Sequence, residues 1–140
     1  MGDRTTGVLM EEVMQTGRCE CGAVQYRLQG ALCPSIACHC GQCRRTSGHY
    51  WSANQVDDDQ LKITKDDGLV WYRSSDVAAR GFCSTGGSSL FWRMDGEGKT
   101  SIGSGTLGGP TRIETAKHIS AGDKCDYYKI EDGVPQIGQY

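Results

Sequence analysis

Residues 38–45 read CHCGQCRR. Three thiols, Cys38, Cys40 and Cys43, fall within six residues, and a CxCxxC spacing wraps one tetrahedral ion while supplying three of its four ligands. An open fourth position is what separates a reactive zinc site from a closed structural one. Further out, Cys19-Glu20-Cys21-Gly22 forms a tight turn in which Gly22 is free to take positive φ and let backbone amides approach the sulfurs. Cys83 stands far along the chain in FCSTGGSSLFW, residues 82–92, and joins Cys19 and Cys21 as a second ligand group closing a long loop.

The chain has 140 residues and eight cysteines, a formal charge of −2 and a pI near 5.9. That length suits one domain with its own core. We expect an N-terminal arm at residues 1–16 and a single zinc-binding β domain over residues 17–140. No block of Lys or Arg rises above its surroundings, so nucleic acid is not an expected partner. No apolar run approaches a membrane span, and no basic start leads into an apolar stretch. The expected location is the cytoplasm, where thiols stay reduced and a cysteine-rich chain points to metal or reactive thiols rather than disulfides.

Between the cysteines the pattern is that of short strands. Residues 23–29, AVQYRLQ, alternate Val24, Tyr26 and Leu28 with Gln25, Arg27 and Gln29, which predicts a half-buried strand. Further strands are expected over residues 50–56, 61–64, 69–73, 77–82, 90–94, 100–107 and 111–119. A single helical turn is expected over residues 42–48, ended by Gly48. The run Asp57, Asp58, Asp59 lacks the glycine and glutamate of a calcium loop and reads as a solvated turn. The glycine-rich residues 103–109 lack the Lys-Ser/Thr of a phosphate loop and precede Pro110. The fold class is mainly β, an antiparallel assembly with little helix.

The joint order of CxCG (residues 19–22), CHCxxCRR (38–45), FCxxxGSxLxW (82–92) and DYYxIxDGxP (126–135) resembles the glutathione-dependent formaldehyde-activating enzyme family, also called the centromere protein V family. The resemblance implies an Mss4-like β fold with zinc knuckles. It implies a structural zinc site, to which Cys19, Cys21 and Cys83 correspond, and a catalytic zinc site with a free position, to which Cys38, Cys40 and Cys43 correspond. Family members are carbon-sulfur lyases that join glutathione to formaldehyde, giving S-hydroxymethylglutathione. The family's FCxxC pattern would place a cysteine where this chain has Gly86. Cys33 or Cys125 is then a candidate replacement ligand, the bland alternative being that both are small buried hydrophobes.

Charge favours thiol chemistry. Zinc with three thiolates carries about −1, a poorer activator of water than zinc held by neutral histidines, so a hydrolase is disfavoured. The same soft site accepts an incoming thiol, such as glutathione, as thiolate, the form that attacks a carbonyl carbon. The alternative is a non-catalytic, zinc-stabilised binding module of the Mss4-like type. Arg44 and Arg45 are candidates to pair with substrate carboxylates or the thiolates, or are simply solvated. Trp51, Trp71 and Trp92 read as core, His39 as a non-ligand inside the knuckle, and His49 and His118 as proton carriers or ordinary polar residues. Ser88 and Ser89 have no His and Asp partners that would make either a nucleophile.

Overall fold

The computed structural model describes residues 14–139, which form ten strands and one α-helix. Residues 1–13, most of the expected arm, lie outside the described residues, and the first strand begins at Met14, within the span assigned to that arm. Strands β1 (Met14–Arg18), β2 (Val24–Gln29) and β5 (Leu61–Asp66) make a three-stranded antiparallel sheet in the order β1-β2-β5. The larger sheet contains β3 (Ser35–Cys38), β4 (Trp51–Asp57), β6 (Leu69–Arg73), β7 (Ala78–Cys83), β8 (Ser89–Met94), β9 (Lys99–Gly103) and β10 (Thr115–Ile119). Its order is β10-β3-β4-β9-β8-β7-β6. The helix, α1 (Gly41–Ser47), follows β3 directly. No helix among the described residues is long and apolar enough to cross a membrane.

The fold is therefore mainly β, as the sequence predicts, with one difference: β10 pairs with β3 in parallel. The pairing is possible because β10 returns from far along the chain and needs no tight hairpin. On its other side β10 receives the C-terminal tail, where Pro135 and Ile137 exchange backbone hydrogen bonds with His118 at 2.9 and 2.8 Å. The last motif, too broken by Gly133 and Pro135 for a long helix, is thus held as an extended strap.

The core lies where the two sheets meet. Period-two alternation buries Val24, Tyr26 and Leu28 on β2 while Arg27 and Gln29 face out. They pack on Val56, Leu90, Phe91 and Ile102 of the larger sheet, together with Cys19 and Cys83. Phe91 meets Tyr26 edge-on at 5.5 Å and stacks on Trp71 at 5.8 Å. A bulge on β8 sets two residues, Leu90 and Phe91, against the stretch between Gly81 and Phe82, and both enter the core. Asn54, fully buried, donates to the Cys33 carbonyl and accepts from Ser35 and Ser104. Through these bonds it fixes the loop between β2 and β3.

Strand β7 serves both faces of its sheet. Arg80 and Cys83 are three residues apart in a regular strand, so they point to opposite sides. Cys83 enters the core between the sheets, and Arg80 turns toward α1 and Trp51.

Tyr26 lies across Gly17 of β1, and a Cβ added at Gly17 would stand 2.2 Å from the Tyr26 ring and 2.7 Å from the Thr106 carbonyl. The Gly17→Ala substitution is expected to cost about 1–3 kcal/mol by overpacking, read as a lower urea midpoint. An unchanged midpoint would contradict this packing.

Candidate metal centres and their surroundings

Strand β3 delivers Cys38 at its end, and the chain passes through His39 into α1, whose N-cap is Cys40 and whose buried residue is Cys43. The Cys40 sulfur accepts the Cys43 amide at 3.3 Å, doing for this helix what a serine or aspartate oxygen usually does at an N-cap. The helix ends at Gly48 in the left-handed region, as the sequence predicts. The ligand sulfurs of Cys38, Cys40 and Cys43 lie within 4.8 Å of one another, close enough to hold one metal ion. As free thiols, Cys38 accepts a hydrogen bond from Cys43, which lowers it to about 6 despite burial that pushes it up. Cys43 is pushed up by giving that bond and by burial.

Arg80 is the residue that the motifs do not announce. It is 4 % exposed, and its Nη2 donates to the Cys43 sulfur at 3.3 Å while Nε donates to Gln42 at 3.0 Å. Its guanidinium lies 5.5 Å from the centre of the Trp51 ring. No carboxylate pairs with it among the described residues, and its Nη1 is buried without a hydrogen-bond partner there. A buried cation needs an anion, and the sulfurs of the Cys43 group are the acceptors at hand. Sequence reading passes over Arg80 because it sits inside a strand; its one signal is a charge between Ala78 and Phe82 on one face of that strand.

Behind the knuckle runs a hydrogen-bonded chain. His39 is fully buried; its Nδ1 meets the Tyr128 hydroxyl, and its Nε2 meets His118 Nδ1 at 2.8 Å. His118 Nε2 meets Asp132 at 2.8 Å. Burial, reinforced by the neighbouring His118, holds His39 down at about 4, so its ring is neutral. Asp132, held below its usual range by its bond to His118, accepts from His118 Nε2, while His39 and His118 share one proton between Nε2 and Nδ1. The terminal motif therefore supplies two side chains, Tyr128 and Asp132, that fix the residue between Cys38 and Cys40. His49 is exposed and meets the Tyr127 hydroxyl at 2.6 Å.

The second group joins the two sheets. Cys19 and Cys21 lie in the turn between β1 and β2, and Cys83 ends β7. Cys21 Sγ is 3.6 Å from both Cys19 Sγ and Cys83 Sγ, and all three sulfurs lie within 4.8 Å. The Val24 amide donates to Cys19 at 3.2 Å and the Gly86 amide to Cys83 at 3.3 Å. Burial raises Cys19, yet the Val24 amide and the neighbouring thiols outweigh it and leave Cys19 lowered to about 7. Gly86 borders this group: a Cβ there would be 3.0 Å from Cys21 Sγ. Cys33 and Cys125 belong to neither group of sulfurs within 4.8 Å of one another.

The remaining candidates fall in varied places. Arg44 is half-buried with its Nε enclosed and without a hydrogen-bond partner among the described residues, whereas Arg45 is exposed and reaches back to the Gly41 carbonyl. Trp51 is buried under Arg80, Trp71 packs on Phe91, and Trp92 is half-buried. The Ser88 hydroxyl accepts the Glu20 amide at 3.1 Å, an ordinary structural bond, and Ser89 opens β8. A groove of about 470 Å³ borders α1 at Thr46 and Ser47, with Trp51, Ser88 and Thr106 in its walls. A second, of about 650 Å³, is bordered by Arg18, Cys19, Glu20 and Arg27. Neither is lined by Cys38, Cys40 or Cys43; the smaller begins one turn of helix beyond Cys43.

A family model described as glutathione-dependent formaldehyde-activating enzyme matches residues 14–123. A Rhodobacter sphaeroides protein of known crystal structure is similar in fold, with a TM-score of 0.56 and 20% identity over 86% of this chain and 98% of that one. No curated protein matches the sequence.

If Arg80 balances the thiolates, Arg80→Met is expected to weaken metal retention at the Cys38 group by about 10–100-fold, read by competition with a chromophoric chelator. Arg80→Lys should restore only part, since it cannot hold Gln42 and Cys43 in one planar fork. Unchanged retention in Arg80→Met would reduce Arg80 to a packing residue.

Proposed function

The chain belongs to the glutathione-dependent formaldehyde-activating enzyme family, and from that premise we propose that it is a carbon-sulfur lyase joining a glutathione-like thiol to a small aldehyde at Cys38, Cys40 and Cys43. One observation carries this reading: three convergent cysteines face a buried guanidinium whose Nη1 is left without a partner among the described residues. Such a set is built to receive one more anionic ligand.

The donors suit zinc, which prefers sulfur and tetrahedral surroundings. When bound, zinc supplies a soft position that favours a substrate sulfur in its thiolate form. Arg80 offsets the negative charge of the cysteines, so that an additional thiolate meets less repulsion. Its Nη2 contact with Cys43 holds that positive charge beside the cluster. Arg44, next to Cys43 and with its own unpartnered Nε, supports a substrate carboxylate, and Arg45 adds charge at the surface. The groove beside Thr46, Ser47 and Trp51 holds the rest of the thiol. Tyr128, His39, His118 and Asp132 keep the Cys38 to Cys40 turn rigid, and both nitrogens of the His39 and His118 rings are already engaged.

The addition balances without a further reactant. The substrate sulfur gives its proton to solvent, attacks the carbonyl carbon and forms a carbon–sulfur bond. The carbonyl π pair moves to oxygen, which takes a proton from solvent. In the reverse direction the same bond breaks. The Cys19, Cys21 and Cys83 group is read as the structural staple between the sheets, and the cytoplasm, where small thiols are reduced, as the working compartment.

Exchange spectroscopy by NMR tests the reading with glutathione and formaldehyde. Native zinc-loaded protein should accelerate hemithioacetal exchange, and Cys43→Ser should leave it at the uncatalysed rate. Equal rates for the two proteins would remove the lyase reading and leave a metal-stabilised binding module.

A further inference from the structure

The group formed by Cys19, Cys21 and Cys83 departs from a closed structural site in this chain, and the departure is visible residue by residue. Its fourth corner has no protein ligand: among the described residues no His, Asp, Glu or further Cys joins the three sulfurs. Gly86 borders this corner, and the three heavy atoms nearest a Cβ built there all belong to Cys21. The other side of the corner is solvent. Cys19 and Cys83 are 1 % and 0 % exposed, but Cys21 and residues 84–87 are exposed. The sulfurs are nonetheless arranged to bind, since amides of Val24 and Gly86 already donate to Cys19 and Cys83. Arg18 adds a cation at this edge, its guanidinium lying on the carbonyls of Cys19 and Glu20 at 3.0 and 2.7 Å.

From this we infer that Cys19, Cys21 and Cys83 form a second open metal site, whose fourth ligand is an exogenous small thiolate and whose metal exchanges with the surroundings. The physical reason is coordination number. A tetrahedral ion held by four protein thiolates is shielded, whereas one held by three presents a corner to any soft donor that reaches it. Here that corner lies at the surface, bordered by the exposed Cys21 and residues 84–87. The chain then carries an open three-thiolate group on each face of β7, one backed by Arg80 and one exposed at Cys21. The inference does not rest on the lyase reading, because it concerns the group on the opposite side of that strand.

Gly86 makes the test clean. It is not among the glycines with positive φ, so its backbone accepts a side chain, and the contact of 3.0 Å with Cys21 Sγ asks for only a small adjustment. The full chain is loaded with Co²⁺ in thiol-free buffer and titrated with 2-mercaptoethanol while sulfur-to-cobalt charge-transfer absorption is recorded. In the native protein the titration should add one cobalt–sulfur bond at each of two sites. Gly86→Cys should start with one such bond more and gain only one on titration. Chelator release of one cobalt per chain should slow by at least about tenfold, the smallest loss ordinarily seen when even an outer-sphere partner of a metal is removed. A titration amplitude identical in native protein and Gly86→Cys would overturn the inference. Should Gly86→Cys fail to fold, Cys21→Ser decides: a thiol response halved relative to native supports the open site, and an unchanged response overturns it. Either result leaves the hemithioacetal assay on the Cys38 group readable by itself.

Discussion

A guanidinium buried without a carboxylate partner among the described residues shapes this molecule. Stripping a charge of water costs several kcal/mol unless an anion meets it, and Arg80 meets the sulfur of Cys43. That contact requires α1, β7 and Trp51 to converge, and it gives the thiols of the knuckle a reason to be thiolates. A metal bound by these three sulfurs would supply that ionisation, since coordinated cysteines are deprotonated. Charge balance thereby links the local fold to the chemistry: cationic arginine, anionic cluster, and one hydrogen-bond donor left over.

The other cysteine group solves a different problem. The smaller sheet offers one buried face and a turn, and Cys19 and Cys83 join it to the larger sheet within the shared core. A bound metal there closes a loop of more than sixty residues between Cys21 and Cys83. Structural zinc contributes an apparent ~10–16 kcal/mol, against ~5–15 kcal/mol for the net stability of a whole domain. A metal bound at the seam would therefore be comparable with the net stability of a whole domain. The same seam, with Gly86 in place of a ligand, leaves Cys21 exposed. Stability and openness meet at one position.

Much of this was legible in the sequence because it is local. The CxC and CxCxxC spacings locate five of the six clustered cysteines, and the alternation over residues 23–29 marks the buried face of β2. Gly48 marks the end of α1. What escaped reading is non-local. Arg80 gains its meaning only when β7 passes α1, which no spacing near Ala78 or Cys83 reveals. Tyr128 and Asp132 stand in a recognisable terminal motif, yet their partners His39 and His118 lie on elements reached through parallel pairing of β3 and β10. Cys33 and Cys125 looked like spare ligands by residue type alone. Both lie in loops, Cys33 between β2 and β3 and Cys125 beyond β10, and Cys33 is tied down through its carbonyl by Asn54.

The central claim is that Cys38, Cys40 and Cys43 hold a metal of their own, separate from the one at the sheet seam. Zinc per chain, measured on the native protein and on Cys43→Ser purified without chelators, tests it most directly. The account predicts two zinc ions in the native chain and one in the variant. Equal zinc content in the two proteins would contradict it.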